Sequence, residues 1–190
     1  YGKNVLLIHG SGSFIQSEKG QEIVASLDDN DFRVSKASVG HEPSPALIDG
    51  IVQENVQNNI DAVVAIGGGS VLDTGKAVSA MLPLNEPVKE YLEKVGSRKP
   101  TGKNLPFIAI PTTSGTGSEA TNNAVISEVG EKGFKKSLRH NNYVADLALL
   151  DPELVLSCPP EITAASGMDA FTQLLEAYVS TKASVLTDAW

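Results

Sequence analysis

Three consecutive glycines, Gly67, Gly68 and Gly69, followed by Ser70, stand between two contrasting sequence patterns. Residues 62–66 before them are apolar throughout, as expected of a strand covered on both faces. Glycines let the backbone come close to a ligand, and a helix N-terminus offers unpaired N–H groups and a partial positive charge. The junction therefore predicts either a phosphate or pyrophosphate site or a tight turn packed on its own sheet.

Two more polar loops follow apolar runs of strand length. The run 107–110 leads into a loop that carries Thr112, Thr113, Thr116 and Ser118. The run 5–8 leads into a second loop, which carries Gly10, Gly12 and Ser13. Hydroxyls donate hydrogen bonds to phosphate or ribose oxygens, whereas the alternative is an ordinary Ser/Thr-rich surface loop. Ligands bind beyond the carboxyl ends of parallel strands, so three such loops at one rim favour a binding site.

A third signal is Asp169 with Gln173, four residues apart on one face of a predicted helix. Phe171 and Leu174 flank the pair, so we expect this face to be partly buried. A carboxylate near apolar surface needs a partner, which is either a cation or a local group. Spacing alone favours the local partner.

The elements that must position these residues alternate between strand and helix up to residues 151–152. This alternation predicts an α/β fold, a mostly parallel sheet with helices on both faces. Ser44 before Pro45 is typical of a helix start. Beyond Asp151 the pattern is helical, so we expect a dinucleotide-binding domain at 1–155 and the start of a helical domain at 156–190. Both chain ends look cut, because Trp190 falls in the first turn of a further predicted helix.

Composition narrows the function classes. The net charge of −8 argues against nucleic-acid binding, which needs clustered Lys and Arg. Cys158 is the single cysteine, which rules out a disulfide framework and favours a reducing, cytoplasmic setting. No apolar run reaches membrane-spanning length, so we expect no membrane partner.

Four motifs occur in a fixed order, at residues 67–76, 111–119, 149–153 and 167–178. Together they resemble the motifs of the iron-containing (group III) alcohol dehydrogenases, over nearly the whole chain. The resemblance implies a Rossmann-like nucleotide-binding domain followed by an all-helical domain. It also implies hydride transfer between NAD(P) and an alcohol or aldehyde, with a divalent metal polarising the substrate oxygen. A homo-oligomer is the expected state of the full-length protein.

The resemblance assigns roles by position. Gly67, Gly68, Gly69 and Ser70 would hold the pyrophosphate, and we expect Gly68 to take backbone angles that only glycine tolerates. The threonine-rich motif at residues 111–119 would line the nucleotide with Thr112, Thr113, Thr116 and Ser118. Asp73 and Lys76 match the family's Asp-x-x-Lys turn, and Lys135 matches a lysine on the nicotinamide side. Family members that favour NAD often carry Asp where Gly10 stands here, so we expect NADP to be accepted at least as well as NAD.

The metal motif departs from the family. Asp169 matches the first ligand, but Gln173 replaces the usual histidine, and a carboxamide oxygen is a weaker ligand for iron or zinc. The metal is therefore bound differently, bound weakly or absent, and we expect the 190 residues alone to be inactive. The alternatives are maleylacetate reductase or a glycerol-type dehydrogenase of the same superfamily, or a nucleotide-binding module without catalysis. The sequence does not identify the alcohol or aldehyde.

Overall fold

The computed structural model describes residues 1–131 and 133–189. Lys132, Trp190 and the side chains of Ser13 and Asp28 lie outside that description. Of the helical turn expected to include Trp190, the structure describes a 3-10 turn at Thr187–Ala189. The strands and helices are, in chain order, β1 (Asn4–Gly10), α1 (Ser13–Gln16), α2 (Glu18–Asp29), β2 (Arg33–Val39), α3 (Pro45–Asn55), β3 (Ala62–Gly67), α4 (Gly69–Met81), β4 (Phe107–Pro111), β5 (Asn123–Glu128), β6 (Phe134–Arg139), β7 (Leu147–Ala148) and α5 (Pro160–Val179).

Five strands form one sheet in the order β2-β1-β3-β4-β7, and every neighbouring pair is parallel. β1 and β3 lie in the middle of the sheet and are apolar and buried, as strands covered on both faces must be. The predicted α/β fold with a mostly parallel sheet is confirmed.

Alternate residues of β1 pack on opposite faces of the sheet. Leu6 and Ile8 belong to a core cluster shared with α3 and α4, whereas Val5 and Leu7 belong to a second cluster against which α2 residues pack. Successive strand side chains point to opposite faces, so this division places helices on both sides.

Two short strands lie apart from the sheet, and one expectation about β1 is corrected. Residues 124–126 and 137–138 belong to β5 and β6, which form a separate antiparallel hairpin and do not extend the sheet. Gly10, expected in the loop after the first strand, is instead the last residue of β1. Hydrogen bonds to β2 and β3 extend the strand, since Gly10 pairs with Val39 and His9 pairs with Ile66.

Helix α4 is set unusually close to the sheet. A Cβ atom on Gly75 would lie 2.6 Å from Ala65 Cβ and 2.9 Å from Phe107 Cε2. Only glycine leaves room for this approach, which brings the N-terminus of α4 to the end of β3. Helix α3 begins as expected, because Ser44 Oγ accepts a hydrogen bond from Leu47 N at 3.2 Å.

The chain after Asp151 is helical over α5, and no strand interrupts residues 161–178. Most apolar side chains of α5 are exposed, including Met168, Phe171 and Leu174. Among the described residues, no helix has both the length and the apolar character that a bilayer crossing requires.

Candidate functional site

The glycine and threonine loops meet at the carboxyl edge of three adjacent strands. One cavity is lined by Gly10 at the end of β1 and Gly12 after it, by Gly67 and Gly68 at the end of β3, and by the threonines after β4. Its other side consists of residues from the segment before α5 and from the first turn of that helix, namely Ser157, Cys158, Pro159 and Ile162. The three loops predicted at one rim are therefore brought together. Ser13 begins α1 beside them, but its side chain lies outside the described part.

The glycine turn forms the floor of this cavity. Gly68 precedes the first residue of α4, with φ −76° and ψ −177°, and no side chain caps the helix there. These extended angles suit any residue, so the expectation of glycine-only backbone angles at Gly68 is wrong. Glycine is favoured at these positions by the lack of space for a side chain and not by the backbone angles. A Cβ on Gly67 would lie 2.5 Å from Val71 Cγ2, and one on Gly68 would lie 3.2 Å from Thr113 Cγ2.

The threonine loop forms the facing wall. Thr112 N donates to Gly67 O at 3.0 Å, which ties the loop to the glycine turn. A Cβ on Gly69 would lie 3.1 Å from Thr116 Cγ2 and 3.3 Å from Ser118 Oγ, so these side chains lie directly over the start of α4. Thr113 Oγ1 is buried and has no hydrogen-bond partner within residues 1–131 and 133–189. A buried hydroxyl without a partner beside unpaired helix N–H groups suits an anionic ligand that accepts hydrogen bonds.

Two buried ionisable side chains of α4 bind the end of this loop and the start of β5. Lys76 is fully buried, and its Nζ donates to the carbonyl oxygens of Ser118, Thr121 and Asn123. Asp73 Oδ2 accepts from Val125 N at 3.0 Å. Burial is the main cause of both pKa shifts. It lowers the pKa of Lys76 to about 8, against the opposing effect of Asp73, and it raises the pKa of Asp73.

Lys135 lies at a smaller, neighbouring cavity, which it lines with Ser70 and Asp73. Its Nζ lies 3.1 Å from Glu42 Oε1, and both side chains are largely exposed. Glu42 Oε2 also accepts from Ser127 Oγ at 2.7 Å, and these contacts lower the pKa of Glu42. The structure thus places Lys135 beside the start of α4, outside the cavity of the three loops.

Comparison with known proteins identifies the family. The family model for iron-containing alcohol dehydrogenase matches residues 1–152. The chain belongs to this family. Long-chain-alcohol dehydrogenase 1 of Geobacillus thermodenitrificans is 45% identical over 128 residues, which are 67% of this chain and 32% of that protein. Alcohol dehydrogenase 4 of Schizosaccharomyces pombe is 35% identical over 191 residues, which are 98% of this chain and 43% of that protein.

Solved structures agree with this assignment. The NADH-dependent butanol dehydrogenase A of Thermotoga maritima superposes with a TM-score of 0.87 at 26% identity, over 98% of this chain and 46% of that one. The sulfoacetaldehyde reductase of Bifidobacterium kashiwanohense, solved in complex with NAD+, gives 0.82 at 28% identity, over 98% and 48%. The chain spans less than half the length of these relatives.

The two residues expected at a metal site do not form a metal centre by themselves in the described part of the chain. Asp169 and Gln173 share one face of α5, where Gln173 Nε2 donates to Asp169 Oδ2 at 3.0 Å. Both are exposed, so the expectation of a partly buried face is wrong. Within the described residues, no group of three or more His, Cys, Asp or Glu side chains is placed to hold a metal. One carboxylate and one carboxamide are too few ligands for tight iron or zinc binding.

Several residues around the site escaped sequence reasoning. Glu42 and Ser127 line the smaller cavity together with Lys135 and Asp73, and no local motif marks them. Cys158 and Pro159 close the far side of the main cavity. Only the fold brings these residues to the site, because their sequence separation from the glycine turn is large.

Proposed function

We propose that this chain forms the nucleotide-binding part of an NAD(P)-dependent oxidoreductase, which transfers a hydride between the nicotinamide and an alcohol or aldehyde carbon. The observation that carries the proposal is the glycine turn at the start of α4, which faces a threonine loop across a cavity at the strand ends. Open α/β sheets bind nucleotides at this edge. Membership of the iron-containing alcohol dehydrogenase family supports the same conclusion.

Different residues of the site would bind different parts of the cofactor or contact it in different ways. Gly67, Gly68 and Gly69 leave room for a pyrophosphate against the N-terminus of α4, whose free N–H groups and dipole favour its charge. The Thr113 hydroxyl, buried without a partner within the described residues, donates to the ligand. When bound, NAD(P) supplies the hydride chemistry, and the chain binds it and fixes its orientation.

The β1 end of the cavity supports acceptance of NADP as well as NAD. Gly10 stands at the strand end, and among the described residues no Asp or Glu lines this cavity. A carboxylate here would accept from the adenosine 2′-hydroxyl and repel a 2′-phosphate. Gly10→Asp should therefore weaken NADP binding far more than NAD binding. Equal losses for the two cofactors would contradict this account of cofactor choice.

The substrate is an alcohol or aldehyde, the class of compound for which the similar proteins are named. The similar proteins are named for long-chain alcohols, sulfoacetaldehyde and propanol, so the family tolerates varied substrates. We place the protein in the cytoplasm as a homo-oligomer, with iron or zinc held through Asp169 when further ligands are supplied. Gln173 in place of the usual histidine favours one second candidate, a nucleotide-binding module without turnover.

The test uses the protein encoded by the complete gene. It is incubated with NAD or NADP and a panel of primary alcohols, with and without added iron or zinc, and reduced cofactor is followed by absorbance. Cofactor reduction that depends on the alcohol supports the oxidoreductase. Tight cofactor binding without turnover on any alcohol or aldehyde favours the module, and absence of cofactor binding rejects both.

A further inference from the structure

Lys76 is buried in a position where a lysine needs a specific reason to stay charged. Its Nζ lies 2.8 Å from Ser118 O, 2.7 Å from Thr121 O and 2.9 Å from Asn123 O, and 3.0 Å from Thr121 Oγ1. We name this arrangement the Lys76 clasp. An ammonium group has three N–H donors, one for each of the three carbonyl oxygens, whereas a neutral amine has only two. The clasp is therefore complete only when Lys76 is protonated.

The clasp joins the two walls of the cavity. Lys76 lies in α4, two turns after the glycine turn, and its acceptors lie at the end of the loop that carries Thr113 and Thr116. These threonine methyl groups stand 3.2 Å and 3.1 Å from the places where Cβ atoms on Gly68 and Gly69 would be. A small outward movement of the loop would therefore widen the cleft. Lys76 itself is not among the residues that line the cavity.

We infer that Lys76 is a positioning residue for the dinucleotide. Its ammonium holds the threonine loop at the distance from the glycine turn that the pyrophosphate needs, so proton loss from Lys76 loosens cofactor binding without contact between Lys76 and cofactor. The inference rests on the proposed nucleotide-binding function. It adds a residue that acts through the loop and makes the affinity depend on pH.

The sign of the pH effect separates this role from a structural one. Burial lowers the pKa of Lys76 from its ordinary value of 10.5 to about 8, while Asp73 in α4 and Glu119 in the loop oppose the shift. The unfolded chain then binds more protons than the folded chain between about pH 8 and 10.5, so this group raises the free energy of unfolding as pH rises there. Cofactor affinity should fall over the same range. A residue with a merely structural role would not separate stability from affinity in this way.

The experiment measures NAD affinity of the complete protein by calorimetry at pH 7 and pH 9. NAD is used because it lacks the titrating 2′-phosphate. Binding through the protonated fraction alone predicts affinity about tenfold weaker at pH 9, since about a tenth of Lys76 is then protonated. Lys76→Met should bind weakly and without pH dependence, and Lys76→Arg should restore part of the affinity while staying pH-independent. The matched control is Lys103→Met, because Lys103 is exposed and does not line the cavity; this variant should behave as wild type.

Two further measurements keep the result unambiguous. Cys158 lines the same cavity, so the pH comparison is repeated in Cys158→Ser, where the tenfold change should persist. Amide hydrogen exchange without cofactor should be faster over residues 112–123 in Lys76→Met and unchanged in β1 and β3. If Lys76→Met fails to fold, the wild-type and Cys158→Ser titrations still decide, and a flat profile in both overturns the inference.

The failures of the two proposals can be told apart. If Lys76→Met binds NAD with the same affinity and the same pH dependence as the wild type, the role of Lys76 is overturned and the nucleotide site stands. Absence of NAD binding by the wild type rejects the proposed function. That result rejects the role of Lys76 toward the dinucleotide as well, and hydrogen exchange then tests only whether Lys76 holds the loop: unchanged protection of residues 112–123 in Lys76→Met would refute this too.

Discussion

Gly68→Val tests whether the cofactor needs the space that the glycine turn leaves open. The angles of Gly68, φ −76° and ψ −177°, are allowed for valine, so backbone strain contributes little. The new Cβ would lie 3.2 Å from Thr113 Cγ2 and 3.4 Å from Thr113 Oγ1, and the two γ-methyl groups would extend beyond it. We expect the free energy of unfolding to change by about 1 kcal/mol or less, because Gly68 precedes α4 and the atoms nearest the new Cβ belong to one side chain, that of Thr113.

The effect on binding should be much larger. The methyl groups would separate a pyrophosphate from the N–H groups at the start of α4 and from the Thr113 hydroxyl. A hydrogen bond to a charged group contributes about 1.5–3 kcal/mol, so losing two costs about 3 kcal/mol or more. Each 1.4 kcal/mol is tenfold in affinity, which predicts NAD(P) binding weaker by roughly 100-fold or more.

The assay is calorimetric titration of NAD and NADP into wild type, Gly68→Val and a matched control. Gly50→Val is that control, because Gly50 is exposed in α3 and a Cβ there would meet no atom within 4 Å. Thermal unfolding of the three proteins checks that they are folded. Equal cofactor affinity in Gly68→Val and Gly50→Val would refute the assignment of the glycine turn as the pyrophosphate site.

Three further predictions concern packing, capping and the metal. Gly75→Ala should lower the free energy of unfolding by about 1–2 kcal/mol in urea titrations, because overpacking against Ala65 and Phe107 exceeds the gain in helix propensity. A more stable variant would contradict the close packing of α4 on the sheet. Ser44→Ala should cost about 1 kcal/mol by removing the cap of α3, and no loss in the same titration would argue against that cap. In the complete protein, Gln173→His should raise iron or zinc content in elemental analysis because imidazole is the better ligand, and unchanged content would show that residue 173 does not face the metal.

The fold was predictable because its signals are local and repeated. The all-apolar run of β3 and the helical spacing of α4 identify a buried parallel strand followed by a covering helix, and similar pairs recur along the chain. The β5–β6 hairpin was harder, since its short strands look like any others and only pairing distinguishes them from sheet members. The length of β1 depends on hydrogen bonds to two neighbours, which no single segment encodes.

The candidate site was predictable where one loop follows one strand. Gly67, Gly68 and the threonines after β4 could be placed at the rim by that rule alone. The reason why glycine is needed there could not be predicted, because the side chains that crowd these positions, Val71 and Thr113, are recognised only once the fold is known. The Lys76 clasp likewise joins residues more than 40 positions apart in sequence.

The central claim is that the glycine turn and the threonine loop together hold the cofactor pyrophosphate. The most direct measurement is an amide NMR titration of NAD into protein labelled with 15N-glycine, with resonances assigned by substitution. The account predicts saturable shifts at Gly67, Gly68, Gly69 and Gly115, while Gly50 in α3 stays unchanged. Saturable NAD binding that leaves the three glycines of the turn unmoved would contradict it.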